Sequence, residues 1–405
     1  MDARDFDIVL YGATGFVGEL TAEYLAEHSP GDLKWALAGR NPEKLKKIRE
    51  GLVKLNPALA ELPLIAADAE DATSLEEMAQ STRVLISTVG PYALYGEPLV
   101  KACAENGTDY LDLTGEPGFV DEMYVKYNDV AKQTGAKLVH CCGFDSIPHD
   151  LGAYFTVLQL PEDVPITVES RVRASGMISG GTFYSALNGM GHAKQTIDAV
   201  RARRKAEPRP EGRKVGSVKP GLRRDKEMNM WVAPLPTIDQ FIAERSAAVD
   251  SRYGPDFKYG HNYAAKHLPT VIAGTATVAS VFLLAQIPPV RKGMMKLIPP
   301  GTGPSEEKRA KSWFRVEFVG SGGGKTVRTA VSGGEPGYTE TSKMLAESGL
   351  ALAFDTVPER AGQLTPVAAM GDALLERLPK AGIKIEVVED AATERQPASS
   401  QTAGR

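Results

Sequence analysis

The chain has 405 residues, with 47 basic and 51 acidic side chains, a formal charge of -4 and 42% hydrophobic residues. That is enough apolar chain for a large core and two domains, and the charge balance gives no basis for nucleic-acid binding. Three cysteines, two of them adjacent at Cys141-Cys142, exclude a disulfide framework, and no Cys or His pair stands at a metal-ligand spacing, so no metal site is expected.

The first element is a strand, Phe6 to Tyr11, apolar throughout except for Asp7, as in a strand buried on both faces. It runs into "GATGFVG", and apolar or small residues then recur at helical spacing from Phe16 to Leu25 until Pro30-Gly31. Gly12, Gly15 and Gly18 therefore sit on a strand-to-helix turn. There Gly12 permits the turn, Gly15 admits a diphosphate against the backbone, and Gly18 lets the helix pack on the strand. Free N–H groups at the helix start face the anion. Thr14 and Phe16 share the turn and belong to the same expected dinucleotide site. The spacing is GxxGxxG rather than GxGxxG, so the strand–turn–helix setting carries the argument.

A second strand, Leu33 to Ala38, ends in Gly39-Arg40. An acidic residue there suits the ribose hydroxyl of NAD, whereas a guanidinium suits the 2′-phosphate of NADP, so Arg40 points to NADP. A third strand ends at Asp68, placed for adenine contact or for capping the helix that starts near Thr73. The fourth, Val84 to Val89, leads to Gly90 in "TVGPY", a further cofactor candidate, and to Tyr92 and Tyr95, which are either phenolic proton donors or packing for the nicotinamide. "TDYLDLTGE" and "AKLVHCCGFDSIPHDL" add two more strands. Asp112 and Glu116 follow the first of these as proton relays or caps. Asp145-Ser146 caps the helix opened by Pro148, and His149 and His192 are candidate acids or surface residues. Six strands alternating with helices make an open parallel sheet, with the named loops at its carboxyl edge. No Tyr is followed four residues later by Lys, so a YxxxK proton donor is absent.

"YGATGFVG", "ALAGR", "STVGPYALYGEPLVKACAENGTDYLDLTGE" and "CGFDSIPHDL", in this order, resemble the saccharopine dehydrogenase-like oxidoreductases. "PGTGPS" and "ESGLALAFD…LTPVAAMGDALLERL" are similar to the actinobacterial branch that includes the trans-acting enoyl reductase of phthiocerol and phenolphthiocerol lipid synthesis. The resemblance covers about residues 5 to 385. It implies a Rossmann-type NADP-binding α/β domain with a second α+β domain, and an NADPH-linked reductase acting on a lipid or polyketide intermediate held by a carrier domain. A saccharopine-type C–N reductase and a nonenzymatic NADP-binding, lipid-associated protein are the alternatives. A dicarboxylic substrate would call for converging Arg or Lys donors, but "SGGTFYSALNGMGHA" offers small and aromatic groups that suit an apolar chain better.

The nucleotide domain is expected over 1–147 and the second domain over 148–335. "ITVESRVRAS" and the hairpin in "SWFRVEFVGSGGGKTVRTAVSGG" should give an antiparallel sheet. Arg201 to Arg224 read as a mobile basic loop. Leu268 to Val290 carry no charge and are flanked by Lys266-His267 and Arg291-Lys292, which fits a membrane-surface or lipid-facing hairpin, a buried helix or interface, or a membrane span. Helices over 336–388 should pack back on the first domain, and 389–405 read as a disordered tail. With no signal peptide in the polar N-terminus, the expected location is cytoplasmic or peripheral at the inner face of the plasma membrane.

Overall fold

A computed structural model describes residues 4–176, 180–226, 228–296 and 303–388, so the expected tail at 389–405 lies outside the described residues. The strands of the first domain are β1 (Phe6–Tyr11), β2 (Trp35–Gly39), β3 (Leu64–Ala66), β4 (Thr82–Ser87), β5 (Asp109–Asp112) and β6 (Lys137–Val139). The second domain supplies β7 (Ile166–Ser175), β8 (Lys214–Ser217), β9 (Arg223–Asp225), β10 (Met230–Pro234), β11 (Asp256–Ala265), β12 (Trp313–Gly322) and β13 (Lys325–Gly333). Last come β14 (Gly362–Leu364) and β15 (Lys384–Val387).

The first sheet is parallel, in the order β14-β6-β5-β4-β1-β2-β3. The strand order reverses between β1 and β4, which makes the crevice at their carboxyl ends the expected ligand position. Because both faces are covered, the central strands are apolar almost throughout: Ile8 to Leu10 and Ala36 to Ala38 are fully buried. Helices 72–81, 97–106 and 117–134 form a core on one face, and helices 16–28, 42–55 and 339–354 form one on the other. Thr339–Phe354 comes from the far end of the chain. A side chain at Gly349 would meet Ile86 Cδ1 at 2.5 Å, so this helix lies directly on the switch-point strands. The sheet has seven strands where six were expected. β14 is only three residues, too short for any period, and it is held by Gln363, whose backbone N–H donates to Asn128 Oδ1 and whose side chain donates to the Val120 carbonyl.

The second sheet is mixed rather than antiparallel, in the order β15-β13-β12-β7-β11-β10-β9 with β8 also on β11. β7 and β8 both run parallel to β11, because the long crossover through helices 180–191, 193–206 and 239–249 brings the chain back in its original direction. Phe314, Val316 and Phe318 alternate inward onto helix 147–158, where the Phe318 ring fills the space a side chain at Gly152 would need. On the outer face Glu317 accepts from Arg173 at 2.8 Å and Arg315 at 2.7 Å.

The basic stretch 201–224 is not a free loop. Arg203 is buried on helix 193–206, with its Nε donating to Asp121 at 3.0 Å and Glu207 also paired to it, while Arg213 donates to the carbonyls of Gly254 and Ala247. The apolar segment forms a helix, Leu268–Ala285, and only Val271 and Ala285 in it are buried. Ile272, Val278, Phe282, Leu283 and Leu284 are exposed, Leu283 to 66%, which removes the buried-helix alternative. By length and composition alone the helix could cross a membrane. Of its flanking cations, Lys266 and Lys292 are exposed, whereas Arg291 turns back to cap the helix through the Ala285 carbonyl.

Candidate active site

At the β1 turn the three glycines have three different physical reasons. Gly12 has φ +89, and a side chain there would strike Thr88 Oγ1 at 2.6 Å. A side chain at Gly18 would overlap the Gly12 carbonyl. Beside Gly15, by contrast, the space is open: an added Cβ meets only the Gly12 oxygen, at 3.4 Å. No side chain caps helix 16–28, so the N–H groups of its first turn stay available to an anion beside Gly15. Thr14 lies in this turn, half-buried. The ring of Phe16 packs edge-on to Tyr338 at 4.9 Å, with the Arg309 guanidinium above it. An open cradle over uncapped N–H groups fits a dinucleotide diphosphate.

The ends of β1, β2 and β3 meet around Tyr11. Burial and the Asp68 carboxylate push its hydroxyl up to about 12, while Arg40 pulls the other way. Arg40 is exposed and makes no ion pair or hydrogen bond among the described residues, so its guanidinium is available where the 2′-phosphate of NADP is expected. Asp68 accepts the Glu70 N–H at 3.1 Å, and the helix beyond is capped by Asp71.

At the end of β4, Gly90 is exposed beside the Tyr92 ring. Tyr92 is buried and donates its hydroxyl to the Ser87 carbonyl at 3.0 Å; burial holds the phenol well above its usual range. Tyr95 is 41% exposed. Glu116 accepts the N–H groups of Tyr92 at 2.9 Å and Ala93 at 3.2 Å, and the Ser185 hydroxyl at 2.8 Å, so it caps the short helix 92–95 and ties helix 180–191 to the first domain. Burial pushes its carboxyl up, against those three donors. Asp112, fully buried, accepts from Tyr110, Thr114, Cys141 and His140, which locks the ends of β5 and β6 together.

Beyond β6 the chain makes a strained turn. Cys141 has φ +66 and Ser146 φ +138, each a conformation that costs a residue with a side chain roughly 1–3 kcal/mol. His149, in the helix that follows, is 2% exposed and faces second-domain groups: its Nε2 lies 3.9 Å from Asp239 Oδ1, and His261 Nε2 lies 3.4 Å from Asp239 Oδ2. Burial lowers the His149 ring to about 4, despite the pull of Asp239, so it is neutral at pH 7. Asp239 is buried too, but the two rings and the Thr237 hydroxyl outweigh that and hold its carboxyl below the usual range. These ligand atoms lie within 4.8 Å of one another, close enough for one metal ion, yet the carboxylate already accepts from Ser146 and Thr237. His192 stands apart, exposed, its Nδ1 2.8 Å from the Asn188 carbonyl. Asp239, His261 and Ser185 carry no mark in the sequence, since each looks like an ordinary helix or strand residue and only the crossover brings them to β5 and β6.

Residues 8–139 match the family model of the saccharopine dehydrogenase NADP binding domain, so the cofactor of this domain is NADP. A Mycobacterium tuberculosis protein named as a trans-acting enoyl reductase is 40% identical, over 95% of this chain and 97% of its own. The trans-acting enoyl reductase of Mycobacterium ulcerans is 36% identical, over 94% and 97%. Among solved structures, the saccharopine dehydrogenase (L-Glu forming) of Saccharomyces cerevisiae shares the fold, with a TM-score of 0.54 at 12% identity, covering 95% of this chain and 100% of that one.

Proposed function

We propose that this chain, which belongs to the family of the trans-acting enoyl reductases, uses NADPH to reduce the carbon–carbon double bond of an acyl or polyketide thioester presented by a separate carrier domain. The observation that carries this reading is the joint one: 36–40% identity to enoyl reductases along almost the whole chain, with the NADP cradle intact. NADPH, when bound, supplies the hydride. The Gly15 turn holds its diphosphate and Arg40 its 2′-phosphate, while Tyr92, Glu116 and Asp112 fix the loops around the reacting end. Single-turnover oxidation of NADPH by 2-enoyl thioesters, set against imino acids, tests the reading. Turnover with imino acids alone would transfer the chain to the C–N reductases.

A substrate of this kind also accounts for the exposed helix 268–285. An apolar face with Lys266 and Lys292 beside its ends suits the surface of an anionic bilayer, where long acyl chains reside, and this supports a peripheral position of the enzyme at a membrane. Replacing Phe282 and Leu283 together by Asp should leave folding within about 1 kcal/mol of the parent, because both side chains are exposed. The variant should no longer sediment with phosphatidylglycerol vesicles. A parent protein that fails to sediment with them would remove the membrane from the proposal.

A further inference from the structure

We propose that Asp145 is the general acid that protonates the substrate carbon next to the one that receives hydride. This rests on the reductase reading above and adds a residue to it. The turn Cys141 to Ile147 projects from the carboxyl end of β6 and is fixed on every side. The Cys142 N–H donates to the Asp112 carbonyl at 2.7 Å, the Phe144 N–H to Thr341 Oγ1 at 3.0 Å, and the Ser146 hydroxyl to Asp239 Oδ1 at 3.1 Å. Its two left-handed residues, Cys141 and Ser146, bracket the aspartate. Backbone strain held by so many bonds marks a side chain whose placement matters.

The carboxyl placed this way faces the loop at the end of β5: its Oδ2 would lie 3.3 Å from a Cβ on Gly115. No hydrogen bond from the described residues reaches it, and the residue is partly exposed, unlike its neighbours Ser146, His149 and Asp150. A carboxyl without a protein partner, at the crevice where this fold receives its ligands, is free to serve a substrate. The titratable groups around it are Asp239, across the domain junction, and the buried Cys141 thiol in its own turn. Burial first, and then the Asp239 charge, raise the Asp145 carboxyl to about 7, so it retains a proton near neutrality.

In the reaction the Asp145 O–H bond breaks and a C–H bond forms at the α-carbon. The hydride from NADPH forms the second new C–H bond, at the β-carbon. The carbon–carbon double bond becomes single, NADPH leaves as NADP+, and solvent reprotonates the carboxylate.

Asp145→Asn keeps the shape and removes the proton. It should bind NADPH within threefold of the parent while the single-turnover rate with a 2-enoyl-CoA falls roughly 10²- to 10⁴-fold. The parent rate should decline as pH rises past about 7, since the protonated form is the active one, and the variant should lack that limb. A rate within tenfold of the parent, or a lost NADPH affinity, overturns the proposal. Carbon-13 NMR of the labelled Asp145 carboxyl in the parent protein separates the two readings. Titration near 7 without enoyl turnover retains Asp145 as the acid for another acceptor and removes only the enoyl substrate, whereas titration below 5 overturns the acid whatever the substrate.

Discussion

Gly15→Val abolishes NADPH binding and leaves the protein folded. The backbone of Gly15 has φ -87 and ψ 161, a conformation open to any residue, and an added Cβ meets only one carbonyl oxygen at 3.4 Å. The fold therefore does not require glycine there; the proposed diphosphate site would. A valine side chain stands where phosphate oxygens must approach the N–H groups of Phe16 to Gly18, and affinity should drop by at least about 4 kcal/mol, a thousandfold in Kd. Gly18→Val is the contrast, since its side chain would overlap the Gly12 carbonyl and disrupt the turn itself. NADPH fluorescence titration paired with urea unfolding distinguishes the two. A Gly15→Val protein that unfolds cooperatively and still binds NADPH tightly would place the diphosphate elsewhere.

Arg40→Asp should weaken NADPH by about 2–4 kcal/mol and leave NADH nearly unchanged, because it removes a charge-assisted bond and sets a carboxylate beside a phosphate. Arg40 is exposed, so the difference should shrink as ionic strength rises. Competitive titration of both cofactors at low and high salt measures this. Equal affinity of the parent for NADPH and NADH would refute the role.

The nucleotide half was legible because parallel strands and glycine turns leave strong local marks. The run Phe6 to Tyr11 and the spacing Gly12, Gly15, Gly18 marked the strand-to-helix turn, and the exposed Arg40 stands where the pattern put it, after β2. The second sheet was less legible: its strands β7, β12 and β13 showed in the pattern, but the parallel pairing of β7 with β11 depends on a crossover of some eighty residues that no window spans. Exposure was not legible at all for helix 268–285, since an apolar helix reads the same whether covered or bare. For chemistry, Asp145 read as a helix cap; only the conformation of its turn and the bonds that Ser146 and Thr341 make show that its own carboxyl is left without a partner.

The helix Thr339–Phe354 lies across Ile8 and Ile86, more than three hundred residues away from the first strand in sequence. A ribosome delivers the chain from its N-terminus, so the cofactor domain emerges with the part of β4 and β5 that this helix covers still bare. It stays so until this helix has been made. During that interval the nascent sheet offers apolar surface to any neighbour. A fragment cut after β6 would therefore lack a wall of its own core.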